Sequence, residues 1–201
     1  MNRKSLRWII PVVILFLVVG CYSNFKGTYN KMVGLDESVA ASWSQVENVY
    51  QRRFDLIPNL VETVKGYAAH ESETFTAVTE ARSRAGGVMN ISDEVLNNPE
   101  SFQRFQQAQS ELSGALQRLL VVTENYPELK ANQNFLALQD QLEGTENRIT
   151  VERQRFNETA RIYNTYIKQF PRMFIANLSG FDPRPYFEAA ADAQTAPQVS
   201  F

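Results

Sequence analysis

The chain has 201 residues, of which 44% are hydrophobic and 21% charged, a balance that is typical of a folded protein and excludes a disordered one. Its formal net charge is −2, yet Arg3, Lys4 and Arg7 precede an apolar run and no acidic residue occurs before Cys21. Taking these three from the 20 basic residues leaves 17 against 22 acidic residues in the rest of the chain. A mildly acidic body has no electrostatic basis for binding nucleic acid, so we expect no nucleic-acid partner.

Residues able to hold a metal or to perform catalysis are scarce. The chain has one cysteine, Cys21, and one histidine, His70, which excludes an intramolecular disulfide and a zinc site built from both residue types. We find no nucleophile motif or dinucleotide fingerprint, and Gly86-Gly87 lacks the Lys-Ser/Thr that follows in a phosphate-binding loop. The sequence therefore predicts no catalytic, cofactor-binding or metal-binding residues, and a protein that is not an enzyme.

The N-terminal segment is basic and then apolar. The thirteen residues 8–20 carry no charge, and the run ends in Val18-Val19-Gly20-Cys21. As a helix this run reaches about 20 Å, which is short of the ~30 Å hydrocarbon core of a bilayer. A basic stretch, a short apolar run and a small residue are typical of a signal peptide, and the last four residues resemble a bacterial lipobox. In this interpretation Cys21 is the lipidation site and the first residue of a lipoprotein.

Two other interpretations fit the same segment. Extending the run to Leu6 and Tyr22 gives a span of seventeen residues, with Trp8 and Tyr22 as the interfacial aromatics of an uncleaved signal anchor. In the third interpretation Cys21 is an ordinary small residue at the end of that helix. Basic residues before the run and few after it place the body outside the cytoplasm in either membrane-bound case. We expect localisation to a bacterial membrane or envelope through the N-terminus.

The body begins with two predicted helices. The first spans about Phe25 to Tyr67 after a loose start around Gly27 and Gly34, and Pro58 predicts a kink near residues 54–57 or a short break. The second runs from Glu73 to about residue 84, where two glycines favour its end, and residues 89–98 are predicted to form a loop. The residues at three- and four-residue spacing that form the buried seam of the first helix are Leu35, Val39, Ser42, Val46, Val49, Arg53, Leu56, Leu60, Thr63 and Tyr67.

Two further helices follow. Pro99 suits the first turn of the third, with Asn98 as its cap, and Tyr126-Pro127 closes it. The fourth helix runs to Pro171, after which prolines and Gly180 predict an irregular tail. The seam of the third helix is Phe102, Phe105, Gln109, Leu112, Leu116, Leu119 and Thr123. The seam of the fourth is Phe135, Leu138, Leu142, Thr145, Ile149, Glu152, Phe156, Thr159, Tyr163, Tyr166 and Phe170.

These segments predict an all-α fold, an elongated up-and-down antiparallel helical bundle behind an N-terminal apolar membrane segment. Helices joined by short connections pack antiparallel, and a repeat of 3.5 residues predicts a gentle left-handed supercoil. No period-two alternation bounded by hairpin turns occurs. We divide the chain into a signal or anchor segment (1–21), the bundle (22–188) and a flexible tail (189–201).

Polar residues interrupt the predicted seams. An unpaired charge at such a position would cost several kcal/mol, so each needs a partner. We expect Arg53 and Glu152 to form an interior ion pair, with Asp55 or Arg155 completing the network. The alternative is that these long side chains extend to the rim of the bundle. The polar seam residues are Arg53, Gln109, Thr145, Glu152 and Thr159.

A candidate functional surface lies around the predicted kink, because a proline break frees backbone groups and redirects side chains. The alternative is that the same residues only lock the bundle together. The residues of this candidate functional or bundle-locking surface are Arg52, Arg53, Asp55, Pro58, Asn59, Glu152 and Arg155.

Several blocks resemble the signature of the bacterial LemA family, and the likeness covers about residues 22–188. They include WSQVE from Trp43, QRRFDLIPNLVETVKGYA from Gln51, ENYPELKA from Glu124, ERQRFN from Glu152, and the stretch from Tyr163 to Pro171. The resemblance implies an apolar N-terminal segment and a helical bundle, and it supplies no catalytic residues because no biochemical activity is established for the family.

Three classes of function fit these observations. The first is a membrane-tethered, non-enzymatic interaction or scaffold protein that holds an unknown protein partner on one face of the rod. The second is a self-assembling structural spacer, in which the partner is a homo-oligomer. The third is an enzyme with a site that no motif reveals, or an accessory subunit of a membrane enzyme. Exposed apolar patches favour the first class, a self-complementary face the second, and a deep pocket lined by converging charges the third.

Overall fold

The computed structural model describes residues 3–89 and 92–188, with side chains described within 11–89 and 94–188. All secondary structure in these ranges is helical, which confirms the all-α fold. The helices are α1 (Arg3–Lys65), α2 (Ser72–Met89), α3 (Ser92–Asn97), α4 (Pro99–Thr123), α5 (Pro127–Lys130), α6 (Gln133–Lys168) and α7 (Arg172–Ser179). The predicted flexible tail, residues 189–201, lies outside the described residues.

Helix α1 is one continuous helix of 63 residues, so the predicted loose start is wrong, and of the two alternatives predicted at Pro58 the short break is wrong. A proline lacks the N–H that would bond to the carbonyl four residues earlier, here that of Phe54. Arg82 of α2 replaces the missing donor, since its Nε donates to the Phe54 carbonyl oxygen over 3.3 Å. The Arg82 guanidinium also lies 3.8 Å from the centroid of the Phe54 ring. The interhelical contact therefore satisfies the carbonyl that Pro58 frees.

Helix α2 continues through Gly86 and Gly87, where the sequence predicted its end, and Gly86 lies at this same contact with Phe54. A Cβ atom on Gly86 would lie 3.0 Å from the Phe54 ring, which is tighter than an ordinary van der Waals contact. A residue without a side chain lets α2 approach α1 closely at this point. The predicted loop over 89–98 is also corrected, because it contains α3.

Helix α4 begins as predicted. The Asn98 side chain accepts hydrogen bonds from the backbone N–H of Glu100 (2.9 Å) and of Ser101 (3.4 Å), and Pro99 occupies the first turn. All seven predicted seam residues of this helix are buried.

The buried faces of α1 and α6 partly differ from the predicted seams. On α1 the buried residues include Trp43, Tyr50, Ile57 and Val64, each one position after a predicted residue. On α6 the buried face ends with Ala160, Tyr163, Asn164 and Ile167, and Phe170 is 78% exposed. Near the end of α6 the buried positions include residues one place later than predicted, Ala160 and Ile167. A straight helix has 3.6 residues per turn, so its buried face moves in this direction relative to a 3.5-residue repeat.

The helices alternate in direction. Helix α1 packs along α6 and α2 packs along α4. Tyr67 and Asn132 join α1 to the start of α6 through a 2.9 Å hydrogen bond, whereas Trp43 lies 5.5 Å from Phe156 farther along, so α1 and α6 are antiparallel. Glu71 accepts a hydrogen bond from the Tyr126 hydroxyl near opposite ends of α2 and α4, as an antiparallel pair requires.

The first part of α1 extends beyond the bundle. Every described side chain from Pro11 to Gly27 is exposed, and Thr28 and Met32 are the first that are buried. Within the described ranges, α1 is the one helix long and apolar enough to cross a membrane, a criterion of length and composition alone.

Candidate functional site

A segment of extended chain, residues 181–188, returns from α7 along α6. Pro183 and Pro185 favour this conformation, because proline fixes its own φ and restricts the preceding residue to extended backbone. No helix or strand ladder pairs the peptide groups of this segment, so other groups must satisfy them.

Two asparagines of α6 hold the segment by its backbone. The Asn164 amide donates to the Arg184 carbonyl (2.8 Å) and accepts from the Arg184 N–H (2.8 Å). One heptad earlier on α6, Asn157 makes the same pair of bonds to the carbonyl (2.9 Å) and N–H (2.8 Å) of Phe187. A carboxamide carries one acceptor and one donor side by side, so it can replace the peptide edge of a neighbouring strand. We call this arrangement the asparagine clasp.

The Phe187 side chain anchors the segment in the core. Its ring lies 4.8 Å from that of Phe102, 5.5 Å from Phe156 and 6.1 Å from Trp43, centroid to centroid. Only 6% of the residue is exposed, and the Arg153 guanidinium covers it at 4.7 Å. The segment is therefore an integral layer of the bundle.

A second anchor ties the segment to α1 and α3. The Arg184 guanidinium bonds to one Asp36 carboxylate oxygen through Nη2 (2.7 Å) and Nε (3.1 Å), and Nη1 donates to the Asn97 carboxamide. Beside this pair the Tyr163 hydroxyl donates to the Asp182 carbonyl over 3.1 Å. Burial, and then the negative charge of Asp36, raise the pKa of Tyr163 to about 12.

The raised pKa predicts a loss of stability at alkaline pH. A tyrosine whose pKa is about 12 when folded and 10.0 when unfolded stabilises the fold fully below pH 10, and this contribution disappears as pH rises towards 12. We expect a Tyr163→Phe variant to lose less stability than the wild type between pH 9 and 11 (about one unit to either side of the unfolded pKa), measured by urea unfolding. The exposed Tyr186→Phe variant should keep the wild-type slope. Equal slopes for all three proteins would contradict the prediction.

The extended segment fills only part of the groove between α4 and α6. It runs from Asn164 towards Arg153, and Glu188 is held where the open part begins, with its N–H bonded to Gln106 (3.1 Å) and its carbonyl to Arg153 (2.9 Å). Beyond it lies a polar cavity of ≈ 580 Å³, which we call the open groove. Its walls are Gln103, Gln106, Gln107, Gln109, Ser110 and Ser113 of α4 and Glu146, Ile149, Thr150 and Arg153 of α6, with Tyr50 and Arg53 of α1 as its floor.

Arg53 is the centre of the floor. Its side chain is 2% exposed, and Nη1 donates to Ser113 Oγ (2.7 Å) and to Glu146 Oε1 (2.8 Å), while Nη2 donates to the Gln109 side-chain oxygen. The guanidinium lies 5.1 Å from the centroid of the Tyr50 ring. Three helices thus meet at one buried cation, which is an arrangement that fixes their register.

Two donors of the open groove, one in its floor and one in its α4 wall, lack an acceptor. Arg53 Nε and Gln109 Nε2 are buried and have no hydrogen-bond partner. A buried donor left unsatisfied costs about 1–3 kcal/mol, so the floor favours an occupant or water that supplies oxygen atoms. Burial is also the main cause that raises the pKa of the neighbouring Tyr50 hydroxyl, which keeps it a neutral donor.

The predicted pair of Arg53 with Glu152 is wrong. Arg53 pairs with Glu146, and Glu152 pairs with Arg155 on the surface of α6 (2.7 Å). Glu146 and Glu152 are six residues apart, about 9 Å along α6. Arg53 lies beside Glu146, the acid that is closer to the start of α6. Asp55 belongs to neither pair and accepts from Gln51 (2.7 Å).

The structure does not gather the seven predicted surface residues into one site. Arg53 alone lies in the interior, and Glu152 with Arg155 lines a shallow depression between α1 and α6. The remaining four are exposed along α1: Arg52, Asp55, Pro58 and Asn59. Among the described residues, no cluster of histidine, cysteine and acidic residues is placed to hold a metal ion.

Sequence reasoning missed the residues that form the clasp and most of the open groove. The available signal was the heptad spacing of Asn157 and Asn164, which places two carboxamides on one face of α6, followed by the proline-flanked Arg184. Glu146 carried no comparable signal. It is one of several acidic residues on the polar surface of a long helix, and no periodic pattern distinguishes it from the others.

The fold and groove define a class of protein: an all-α bundle carried by an apolar N-terminal helix, with its own C-terminal segment bound in an interhelical groove. The model of the LemA family matches residues 42–201, most of the chain, and the chain belongs to the LemA family.

Curated relatives include magnetosome proteins. MamQ of Magnetospirillum gryphiswaldense is 26% identical over 202 residues, which cover 93% of this chain and 74% of that protein. MamQ 2 of Paramagnetospirillum magneticum is 27% identical over 194 residues, covering 89% and 71%. Protein LemA of Metamycoplasma hominis is 21% identical over 160 residues, covering 79% and 68%. None of these three names is that of an enzyme.

Proposed function

We propose that the protein is a membrane-tethered, non-enzymatic interaction protein of the bacterial envelope, and that it binds an extended polypeptide segment of a partner in the open groove. One observation carries the proposal. The adjoining part of the same groove already holds an extended polypeptide, residues 181–188 of this chain, through hydrogen bonds between asparagine side chains and the backbone of that segment.

The chemistry of the open groove matches a polypeptide backbone. Its walls carry carboxamides and hydroxyls, which both donate and accept, as a chain of alternating N–H and C=O groups requires. Its charged groups balance, with Arg53 and Arg153 against Glu146 and Glu188, so no strong selection for a charged ligand is expected.

The dimensions of the open groove also suit an extended segment. From Arg153 to Glu146 the groove follows seven residues of α6, about 10 Å. Extended chain rises about 3.3 Å per residue, so roughly three residues of a partner would lie along it. A contact of this size is typical of a weak or regulated interaction.

The membrane attachment is proposed from α1. The helix carries no charge from Trp8 to Phe25, eighteen residues that reach about 27 Å, nearly the ~30 Å of a bilayer core. This favours a retained anchor over a cleaved lipoprotein signal, since the helix continues unbroken past Cys21. Arg3, Lys4 and Arg7 then lie on the cytoplasmic side and the bundle outside.

The intact mass of the detergent-extracted protein tests the anchor. We expect a chain that retains the residues before Cys21 and carries no acyl chains, and we expect a Cys21→Ser variant to remain in the membrane fraction. A mature chain that starts at a diacylated Cys21 would contradict the retained anchor and establish a lipoprotein.

Site-specific photocrosslinking tests the groove. A photoreactive residue in place of Thr150, which lines the open groove, is expected to cross-link in native membranes to one contiguous segment of one polypeptide. The same residue in place of the exposed Thr76 on α2 is the matched control and should not give that product.

A blocking substitution separates groove binding from chance proximity. Ser110 is an exposed residue of the groove wall, so Ser110→Trp should fill the groove without disturbing the core and should abolish the cross-link from position 150. Thr76→Trp should leave it unchanged. Cross-links scattered over many proteins, or insensitive to Ser110→Trp, would contradict the proposed groove function.

A further inference from the structure

Helix α7 presents an apolar face to solvent. Leu178 is 79% exposed, Phe174 61%, and Phe170, in the turn before the helix, 78%. The rings of Phe170 and Phe174 contact each other at 5.9 Å. On the opposite face Ala176 is buried in the bundle core, so the exposed face is unpartnered and the helix is amphipathic.

This face lies at the end of the bundle where α1 leaves it. Helix α7 contacts both α1 and α6. Its end is bonded to Phe181 (N–H to the Ala176 carbonyl, 3.0 Å), and the Phe181 ring packs on Tyr29 of α1 at 5.6 Å. Tyr29 is four residues, about 6 Å, beyond Phe25, the last residue of the uncharged run.

That distance corresponds to the headgroup layer. A bilayer is about 40–45 Å thick with a ~30 Å core, which leaves roughly 5–7 Å of interface on each side. If the uncharged run spans the core, α7 stands level with the interface, and amphipathic helices lie there with their apolar face about 5–10 Å deep.

Several exposed basic residues lie at the same end of the bundle as the apolar face. Lys26, Lys31 and Lys168 are exposed at this end of the bundle, and Arg172 begins α7, with its guanidinium 4.1 Å from the Tyr166 ring. Cations beside an apolar patch complement anionic phospholipid headgroups.

We propose that the face formed by Phe170, Phe174 and Leu178 is a second membrane contact, which lies in the headgroup region of the bilayer that α1 spans. The occupant is a lipid surface containing anionic phospholipid. Three side chains are far fewer than the ~20–30 residues a side of a stable protein interface, which argues against a second copy as the occupant. The inference rests on the proposed membrane attachment. It adds that the end of the bundle where α1 leaves it is held against the lipid.

Nitroxide labels on full-length protein test the inference. In a Cys21→Ser background, single cysteines replace Phe174, Leu178, Phe16 in the uncharged run, or Val121, a 64% exposed residue at the far end of the bundle. Each labelled protein is reconstituted into vesicles of phosphatidylcholine and phosphatidylglycerol. Accessibility to oxygen, which concentrates in lipid, is compared with accessibility to a water-soluble nickel chelate.

The four positions distinguish the outcomes. Labels at 174 and 178 are expected to give an oxygen-to-nickel ratio several-fold above that at 121, while 16 gives the highest. A ratio at 174 and 178 equal to that at 121, with 16 still in lipid, would overturn the second contact and leave the anchor intact. Aqueous values at 16 as well would overturn the membrane attachment itself. Dipolar broadening between labels at 174 would show a second copy on this face and would also overturn the inference.

Discussion

Replacing Arg53 with alanine is expected to lower the free energy of unfolding by about 4 kcal/mol. The substitution leaves the buried Gln109 side chain without its partner and removes hydrogen bonds to Ser113 and Glu146. It also opens a cavity at a residue that is 1% exposed. Urea unfolding followed by circular dichroism in mild detergent measures the change.

Arg52 provides the matched control. It precedes Arg53 but is exposed, so Arg52→Ala should change stability by less than about 0.5 kcal/mol. Arg53→Lys should fall between the two, because a lysine keeps the charge but cannot reach three acceptors with a planar fork. If Arg53→Ala lost no more stability than Arg52→Ala, the buried network would not hold the bundle together.

The substitution Phe187→Ala is expected to cost about 3 kcal/mol and to release the extended segment from the groove. Phe187 fills a space among aromatic residues of α1, α4 and α6, and the clasp bonds at its own N–H and carbonyl depend on that position. Hydrogen exchange read over residues 181–188 should accelerate strongly, while exchange in the core of α6 changes little.

The neighbouring Tyr186 tests whether the effect is specific to the buried Phe187 ring or follows from any substitution in the extended segment. Tyr186 is 41% exposed, so Tyr186→Ala should leave both stability and exchange near wild-type values. Fast exchange over 181–188 in the wild type itself would show that the segment is not held in the groove as described.

Local signals in the sequence were sufficient for much of the fold. Asn98 and Pro99 define the start of α4 because a cap and a first-turn proline act within four residues of chain. The α4 seam also followed from local spacing, because the single apolar stripe of a strongly amphipathic helix can be buried in only one orientation.

Long-range register was not predictable in this way. Whether Arg53 meets Glu146 or Glu152 depends on how α1 and α6 are aligned along each other, and Glu152 is the one that lies on the predicted seam of α6. The continuity of α1 through Pro58 depends likewise on Arg82, a residue of another helix that replaces a lost donor. Propensity describes a segment alone and cannot include such a partner.

The candidate site was the least predictable part. Residues 181–188 have no periodicity, since their conformation is set by two prolines and their position by side chains of four helices. Asn157 and Asn164 show the regular spacing of a helix face, but nothing in that spacing says that a backbone will bind there.

The continuity of α1 has a mechanical consequence. Tyr50 and Arg53, the floor of the open groove, stand on the same helix as the apolar run, and no break separates Phe25 from Arg53, about 42 Å away. In the proposed membrane-bound state, a tilt of the run in response to bilayer thickness would therefore tilt the whole bundle with it. A polypeptide segment bound in the open groove would then be displaced together with the bundle.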